Sequence, residues 1–138
     1  MASANLDLVR SIYAAWERGD YRSADWAHPD IEFVKVDGPD PGTWHGVGEM
    51  GRAWFETLRV WEDFHNDVDE YRELDAERVL VLTYFRARGK ASGLEVGQTR
   101  SRGASLFRLS EGKVSGLVLY WYRDRAFADL GLTSDTDA

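Results

Sequence analysis

The sequence predicts an α+β fold: a cone-shaped, strongly curved antiparallel sheet with three N-terminal-side helices packed on its concave face. Three observations predict it. Helical spacing of apolar residues governs the first part of the chain, strict alternation governs the second half, and the connections between alternating stretches are short and polar. Helices gathered ahead of a meander of strands give segregated layers rather than alternating βαβ units. The chain of 138 residues is one domain's worth, 1–138.

Residues 5–18 form an amphipathic helix, because Leu6, Val9, Ile12, Tyr13 and Trp16 fall on one face of a 3.6-residue period. Gly19 is the stop, and Asp20 can cap the next segment. The stretch "YRSADWAHP" predicts a second, shorter helix ended near Pro29. In "DIEFVKV", Ile31, Phe33 and Lys35 alternate against Glu32, Val34 and Val36, which is strand behaviour. The next six residues, "DGPDPG", are turn chemistry throughout. From Gly48 to about Trp61 the spacing is helical again, with Met50, Trp54, Leu58 and Trp61 in line. Strands are then expected at 64–74, 78–89, 95–109 and 113–122. "LDAER" and "LSEGK" are hairpin-length links, and the Gly-rich "GKASGLEVGQ" can hold a longer turn or a bulge. The tail "RDRAFADLGL" suits one or two helical turns stopped at Gly131, and "TSDTDA" suits a frayed end.

Composition narrows the function. The chain is 43% apolar and 13% aromatic, with six Trp, six Tyr and six Phe, enough to fill a core and line a cavity. A formal charge of −7 argues against nucleic acid, which demands clustered cations. The arginines at 86, 88, 100, 102 and 108 are dispersed, as on a solvated sheet face. The absence of cysteine excludes thiolate chemistry and Cys-ligated metals. Histidines 28, 45 and 65 lack any local ligand spacing, so no metal is expected. No P-loop, G-x-S-x-G or dinucleotide fingerprint occurs, and no cofactor is expected. The first ten residues lack a basic segment followed by an apolar one, and runs such as "VLVL" are too short to span a bilayer. A cytoplasmic location, with no membrane partner, is the expectation.

The landmarks "IYAAWERGDYRSADWAHPDIEF", "WHGVGEMGRAW" and "EGKVSGLVLYWYRDRAFADLGL" resemble the nuclear transport factor 2-like superfamily, and within it the SnoaL-like group. The resemblance spans almost the whole chain. It implies a fold more than an activity, since this scaffold hosts isomerases, cyclases, dehydratases and noncatalytic binding modules. Ketosteroid isomerases are relatives by this resemblance, and serve as the worked case of an aspartate base with a tyrosine and a protonated aspartic acid as oxyanion donors. Carried over by the flanking motifs, those roles fall on Lys35, Ile12 and Ser105, with Asp37 two residues past the first and Tyr13 one past the second. None is matched, so ketosteroid isomerisation is not expected.

Asp37 is the first catalytic candidate. Its strand parity places it beside Lys35, Phe33 and Ile31, where partial desolvation would suit a general base. The alternative is a turn residue bonding its own loop. His45 could share proton transfer, or simply hold backbone as the chain enters the helix. Tyr13 could present its hydroxyl to a cavity, or be core with that hydroxyl satisfied. Trp26, Phe33, Trp54, Phe85 and Trp121 are the candidate lining rings, and the resemblance turns Thr83, Phe85, Ser105, Leu119 and Trp121 inward with them. A small apolar or aromatic ligand is the expected partner. The enzymatic expectation is cofactor-free isomerisation, cyclisation or hydration, and the alternative is binding without turnover or protein association. The outward row Leu80, Leu82, Tyr84, Tyr120 and Tyr122 reads as an apolar patch, and the resemblance implies a homodimer through it.

Overall fold

The computed structural model describes residues 4–18, 20, 25–37, 41–89 and 98–132, with side chains outside 57–65, 87–89 and 98–101. Expectations for Gly19, for the start of the second helix (21–24), for the middle of the Gly-Pro turn (38–40), for the Gly-rich link (90–97) and for the tail (133–138) lie outside the described residues.

Among the described residues three helices and six strands follow one another as α1 (Ala4–Glu17), β1 (Ala27–Lys35), β2 (Gly42–His45), α2 (Gly46–Val60), β3 (Trp61–Asp75), β4 (Arg78–Gly89), β5 (Gln98–Ser110), β6 (Lys113–Tyr120) and α3 (Arg123–Leu130). The strands form one curved, unclosed sheet in the order β2-β1-β6-β5-β4-β3. From β3 to β6 it is an antiparallel meander, with short polar links joining β3 to β4 and β5 to β6. The β3–β4 turn is set by Asp75, whose carboxylate accepts the Glu77 N–H at 2.9 Å and the Arg78 Nε at 2.8 Å. At the β5–β6 turn Glu111 and Gly112 both take left-handed backbone, φ 53° and 79°, the pair that matches a two-residue hairpin to strand twist.

The strand directions and the segment before Ile31 depart from the sequence expectation. The sheet is mixed, because β1 runs parallel to β6, with Phe33 opposite Leu117 and Lys35 opposite Leu119. Side-chain alternation says nothing about strand direction, so only the tertiary path reveals it. The segment read as a second helix ends otherwise: Asp25 and Trp26 form a turn and Ala27–Pro29 already belong to β1. The Val114 N–H donates to the Trp26 carbonyl at 2.8 Å, and this long-range bond is what overrides the local helical spacing.

The sheet buries both faces. On the inner face α1 sets Val9, Ile12, Tyr13 and Trp16, and α2 sets Met50, Ala53 and Trp54, against Ile31, Phe33, Val79, Val81, Phe107, Val114 and Leu117. On the outer face Ala126 and Phe127 of α3 cover Leu80, Leu82, Ala104, Leu106 and Tyr120. The third helix is thus the C-terminal one and packs opposite the other two. It ends at Gly131, where the Leu132 N–H returns to the Phe127 carbonyl at 2.8 Å.

That arrangement corrects the outer patch. Leu80 and Leu82 are 0% and 1% exposed and Tyr120 is 7% exposed, all under α3 of the same chain. Tyr84 is half-buried, and Tyr122 keeps a broad exposed surface. A short terminal helix with apolar residues at 126 and 127 had a use the strand pattern did not reveal: covering its own sheet. No helix among the described residues is long and apolar enough to cross a membrane.

Candidate functional site

Alternation along the meander fixes which side chains meet on the inner face. Val81, Ser105 and Leu119 lie in register across β4, β5 and β6, and Thr83 lies opposite Gly103. Ser105 and Thr83 are 2% and 3% exposed, two buried hydroxyls with apolar neighbours on the same face. From α1 Tyr13 reaches toward them, its ring edge-on to Trp16 at 4.9 Å and to Phe107 at 5.9 Å. Its hydroxyl is sealed from solvent and makes no hydrogen bond of regular geometry, with the Ser105 hydroxyl as polar neighbour. Burial pushes the Tyr13 phenol far above the usual tyrosine value; the Ser105 hydroxyl pulls weakly the other way, and nearby Tyr71 adds a little to the rise. The group therefore remains a neutral donor at every physiological pH.

Asp37 sits just past the end of β1, at the inward parity of Ile31, Phe33 and Lys35. The Val36 N–H donates to the Leu119 carbonyl at 3.0 Å, and Asp37 Oδ1 accepts the N–H of Trp121, the residue just past the end of β6, at 2.6 Å. The carboxylate thus extends the parallel ladder by one rung. Beside this rung the Trp121 ring meets Phe85 at 4.7 Å. Gly103 lies beneath it, so close that an added Cβ would stand 2.6 Å from the Tyr120 carbonyl oxygen.

The sequence-predicted residues separate into groups. Tyr13 and Ser105 come together, as do Asp37 and Trp121, and Phe85 joins the latter pair. Phe33 and Trp54 stack at 5.8 Å, Trp54 meets Trp16 at 5.2 Å and Trp16 meets half-buried Trp26 at 6.1 Å, so these candidate lining rings form a packed aromatic chain under α1 and α2. Thr83 is buried, and Leu119 is half-buried against the same core. His45 goes elsewhere. In the β1–β2 ladder Trp44 pairs with Phe33 and faces inward, so its neighbour His45, paired with exposed Glu32, faces out. Its imidazole is exposed, and its backbone N–H donates to Glu49 Oε1 at 3.0 Å, tying β2 to the first turn of α2. His45 therefore takes the backbone-holding role and is not assembled with Asp37 and Tyr13.

Sequence reading missed three residues. Asn66 stands opposite Phe85 on the inner face, with its side-chain oxygen buried and unpaired. Its inward parity becomes legible only once the β3–β4 register is known, because β3 is irregular on both sides of it. Arg123 is 7% exposed; it donates to the Thr83 carbonyl at 2.8 Å, the Gly103 carbonyl at 3.3 Å and Asp69 Oδ2 at 2.7 Å, pinning the backbone behind the inner hydroxyls. Gly103 is the third, its role set by the close strand approach. A separate cleft of about 330 Å³ lies between β2 and α2, lined by Trp44, Glu49, Arg52, Ala53 and Glu56, and shares none of these residues. Among the described residues no group of three or more His, Asp and Glu side chains could hold a metal ion.

A family model for the SnoaL-like domain matches residues 9–117. Among solved structures, an NTF2-like protein of unknown function from Burkholderia pseudomallei is 20% identical, with 92% of this chain and 97% of that one covered at a TM-score of 0.75. TerC, co-crystallised with polyporic acid, is 19% identical, with 93% and 98% covered at 0.71. A protein from Mesorhizobium loti described as a SnoaL-like polyketide cyclase is 15% identical, with 83% and 97% covered at 0.68. At these identities the likeness is one of fold. Among curated proteins none matches.

Proposed function

Since the chain belongs to the SnoaL-like domain family, we propose that it binds a small, largely apolar molecule between α1, α2 and the inner sheet face, with the Tyr13 hydroxyl donating to a carbonyl oxygen of that ligand. One observation carries this reading: a phenol held neutral by burial and left without a regular partner beside Ser105. A buried donor is costly to leave unmade, and a ligand acceptor would satisfy it in surroundings of low dielectric, where the bond is strongest. The flanking rings of Phe85 and Trp121 suit an apolar or aromatic body. Support also comes from TerC, a protein of this fold crystallised with a small organic molecule.

Titration with acetylbiphenyl, followed by tryptophan fluorescence, tests the reading. Saturable quenching is expected, weakened about tenfold by Tyr13→Phe, the worth of one buried hydrogen bond. Absence of saturation up to the solubility limit, or equal affinity in the variant, would sink it.

A second reading adds turnover: cofactor-free isomerisation, cyclisation or hydration with Asp37 as base. It is favoured by the half-buried Asp37 carboxylate, held in place by the Trp121 N–H next to two aromatic rings. The relative described as a polyketide cyclase is consistent with it. The check is Asp37→Asn, which should abolish conversion of a substrate found by screening while ligand affinity stays within about twofold.

A further inference from the structure

The cleft between β2 and α2 is built from one helix face and one ring. Glu49, Arg52, Ala53 and Glu56 recur at intervals of three and four along α2, so they line a single face, and Trp44 of β2 stands against them. The volume, about 330 Å³, is at the small end of sites for small molecules. Ala53 is buried and small, which leaves room between helix and ring. Neighbours hold the Trp44 wall in place. Its ring meets Phe33 at 5.6 Å, carries the Lys35 ammonium at 5.4 Å and lies across Gly42, where an added Cβ would stand 2.9 Å from it.

The charges of the lining alternate. Glu49, Arg52 and Glu56 run negative, positive, negative over two turns of α2, about 10 Å of helix axis. On a solvated helix such neighbours pair with one another. Here Glu49 turns to the strand instead: its Oε1 accepts the His45 N–H at 3.0 Å, which fixes the carboxylate and leaves its second oxygen able to accept. Among the described residues Arg52 makes no ion pair or hydrogen bond. A lone cation entering the cleft would meet the guanidinium, and a lone anion would meet two carboxylates. A molecule that carries both charges on neighbouring atoms avoids both penalties. Glu49 and Arg52 stand on successive turns, with Cβ atoms about 5–6 Å apart, a spacing that suits an ammonium and a carboxylate borne by one carbon.

We propose that this cleft binds a zwitterionic α-amino acid with an aromatic side chain. Arg52 takes the carboxylate through two parallel N–H donors, the second oxygen of Glu49 takes the ammonium, and the side chain lies against Trp44 and Ala53. Glu56 adds a second negative charge that turns simple carboxylates away. The site stands apart from the inner-face reading, with which it shares no lining residue. Glu49 and Arg52 are exposed, so water and salt screen both pairs, and the cleft discriminates by charge pattern more than it binds tightly.

Three probes test this on the full chain: phenylalanine, phenethylamine and 3-phenylpropanoate, which carry the same ring with both charges, the positive charge alone and the negative charge alone. The indole N–H signal of Trp44, identified by its loss in Trp44→Phe, is followed by NMR. Phenylalanine should shift it saturably and bind at least about fivefold tighter than either analogue. Arg52→Gln should erase the advantage over phenethylamine. Glu49→Gln, which keeps an oxygen for the His45 N–H, should erase the advantage over 3-phenylpropanoate. Both side chains are exposed, so melting temperatures should stay at the wild-type value and a lost advantage is not a lost fold. Should a variant fail to fold, the ranking of the three probes on the wild-type protein decides alone. A Trp44 signal that phenylalanine does not shift saturably overturns the assignment. So does an analogue that binds as tightly as phenylalanine, or an advantage that survives its substitution.

Discussion

The Asp37 carboxylate accepts the backbone N–H of Trp121 at 2.6 Å across 84 residues of sequence. A side chain there takes on the work of a ladder carbonyl, at the point where β1 leaves the sheet. Asp37→Ala removes the acceptor and should cost about 1.5–3 kcal/mol, the range for a hydrogen bond to a charged group. Asp37→Asn keeps an acceptor oxygen and should cost less than half of that. Urea unfolding midpoints of the two variants check this. Equal losses would show that charge, not the bond, matters.

Tyr13→Phe separates stability from binding. Deleting an unsatisfied buried hydroxyl while keeping the ring contacts to Trp16 and Phe107 should leave stability unchanged or raise it by about 1 kcal/mol. The same change should weaken acetylbiphenyl, as proposed above. A loss above about 2 kcal/mol would mean that the hydroxyl is already well bonded in the unliganded protein.

Alkaline pH should unfold the protein through its tyrosines. Burial raises Tyr13, Tyr71 and Tyr120 above the ordinary value of 10.0, Arg10 opposing this at Tyr71 and Arg125 at Tyr120. The unfolded chain therefore releases these protons first. Their contribution is whole below the ordinary tyrosine value and is lost as pH climbs through it toward the folded values. Melting temperatures measured across this range should fall on the alkaline side, with a shallower fall in Tyr13→Phe. Parallel curves would remove Tyr13 from the account.

Gly103→Ala should be disruptive although the new side chain is one methyl group. Its Cβ would stand 2.6 Å from the Tyr120 carbonyl oxygen, which is backbone and cannot rotate away. Overpacking of this kind costs about 1–3 kcal/mol, and here the upper half is expected. Gly48→Ala, with open space around its Cβ, is the internal control and should differ little from wild type in thermal melting.

Arg123→Met should loosen the wall behind Thr83. The change strips donors from the Thr83 and Gly103 carbonyls, while exposed Asp69 can return to water. A loss of about 2 kcal/mol is expected, below the cost of orphaning a fully buried partner. Hydrogen exchange should speed up at residues 83 and 103 before it does in β1, and uniform acceleration would contradict the local role.

Much of the fold was legible because burial imposes a period. Val9, Ile12, Tyr13 and Trp16 announce α1, the alternation from Val79 to Phe85 announces β4, and both match the structure. β2 escaped because four residues carry too little period to register. The segment before Ile31 misled because local spacing competed with a backbone bond from Val114. At the site, Asp37 and Tyr13 were visible as polar groups at apolar-face positions. Asn66 was not, since its parity depends on a register broken by irregularities between Glu62 and His65 and between Val68 and Glu70.

The sequence alone determined the α+β class and the two alternating rows of each strand in the meander, because side-chain periodicity is local and every burying element must display it; which row faces inward was implied by the resemblance to the fold family. The tertiary structure decided the rest. The parallel meeting of β1 with β6 turned Asp37 into a rung on Trp121, α3 doubled back to cover Leu80 and Leu82, and the β3 register set Asn66 on the same face as Tyr13. Each of these depends on which distant segments become neighbours, and direction and register leave no trace in a pattern of apolar and polar letters.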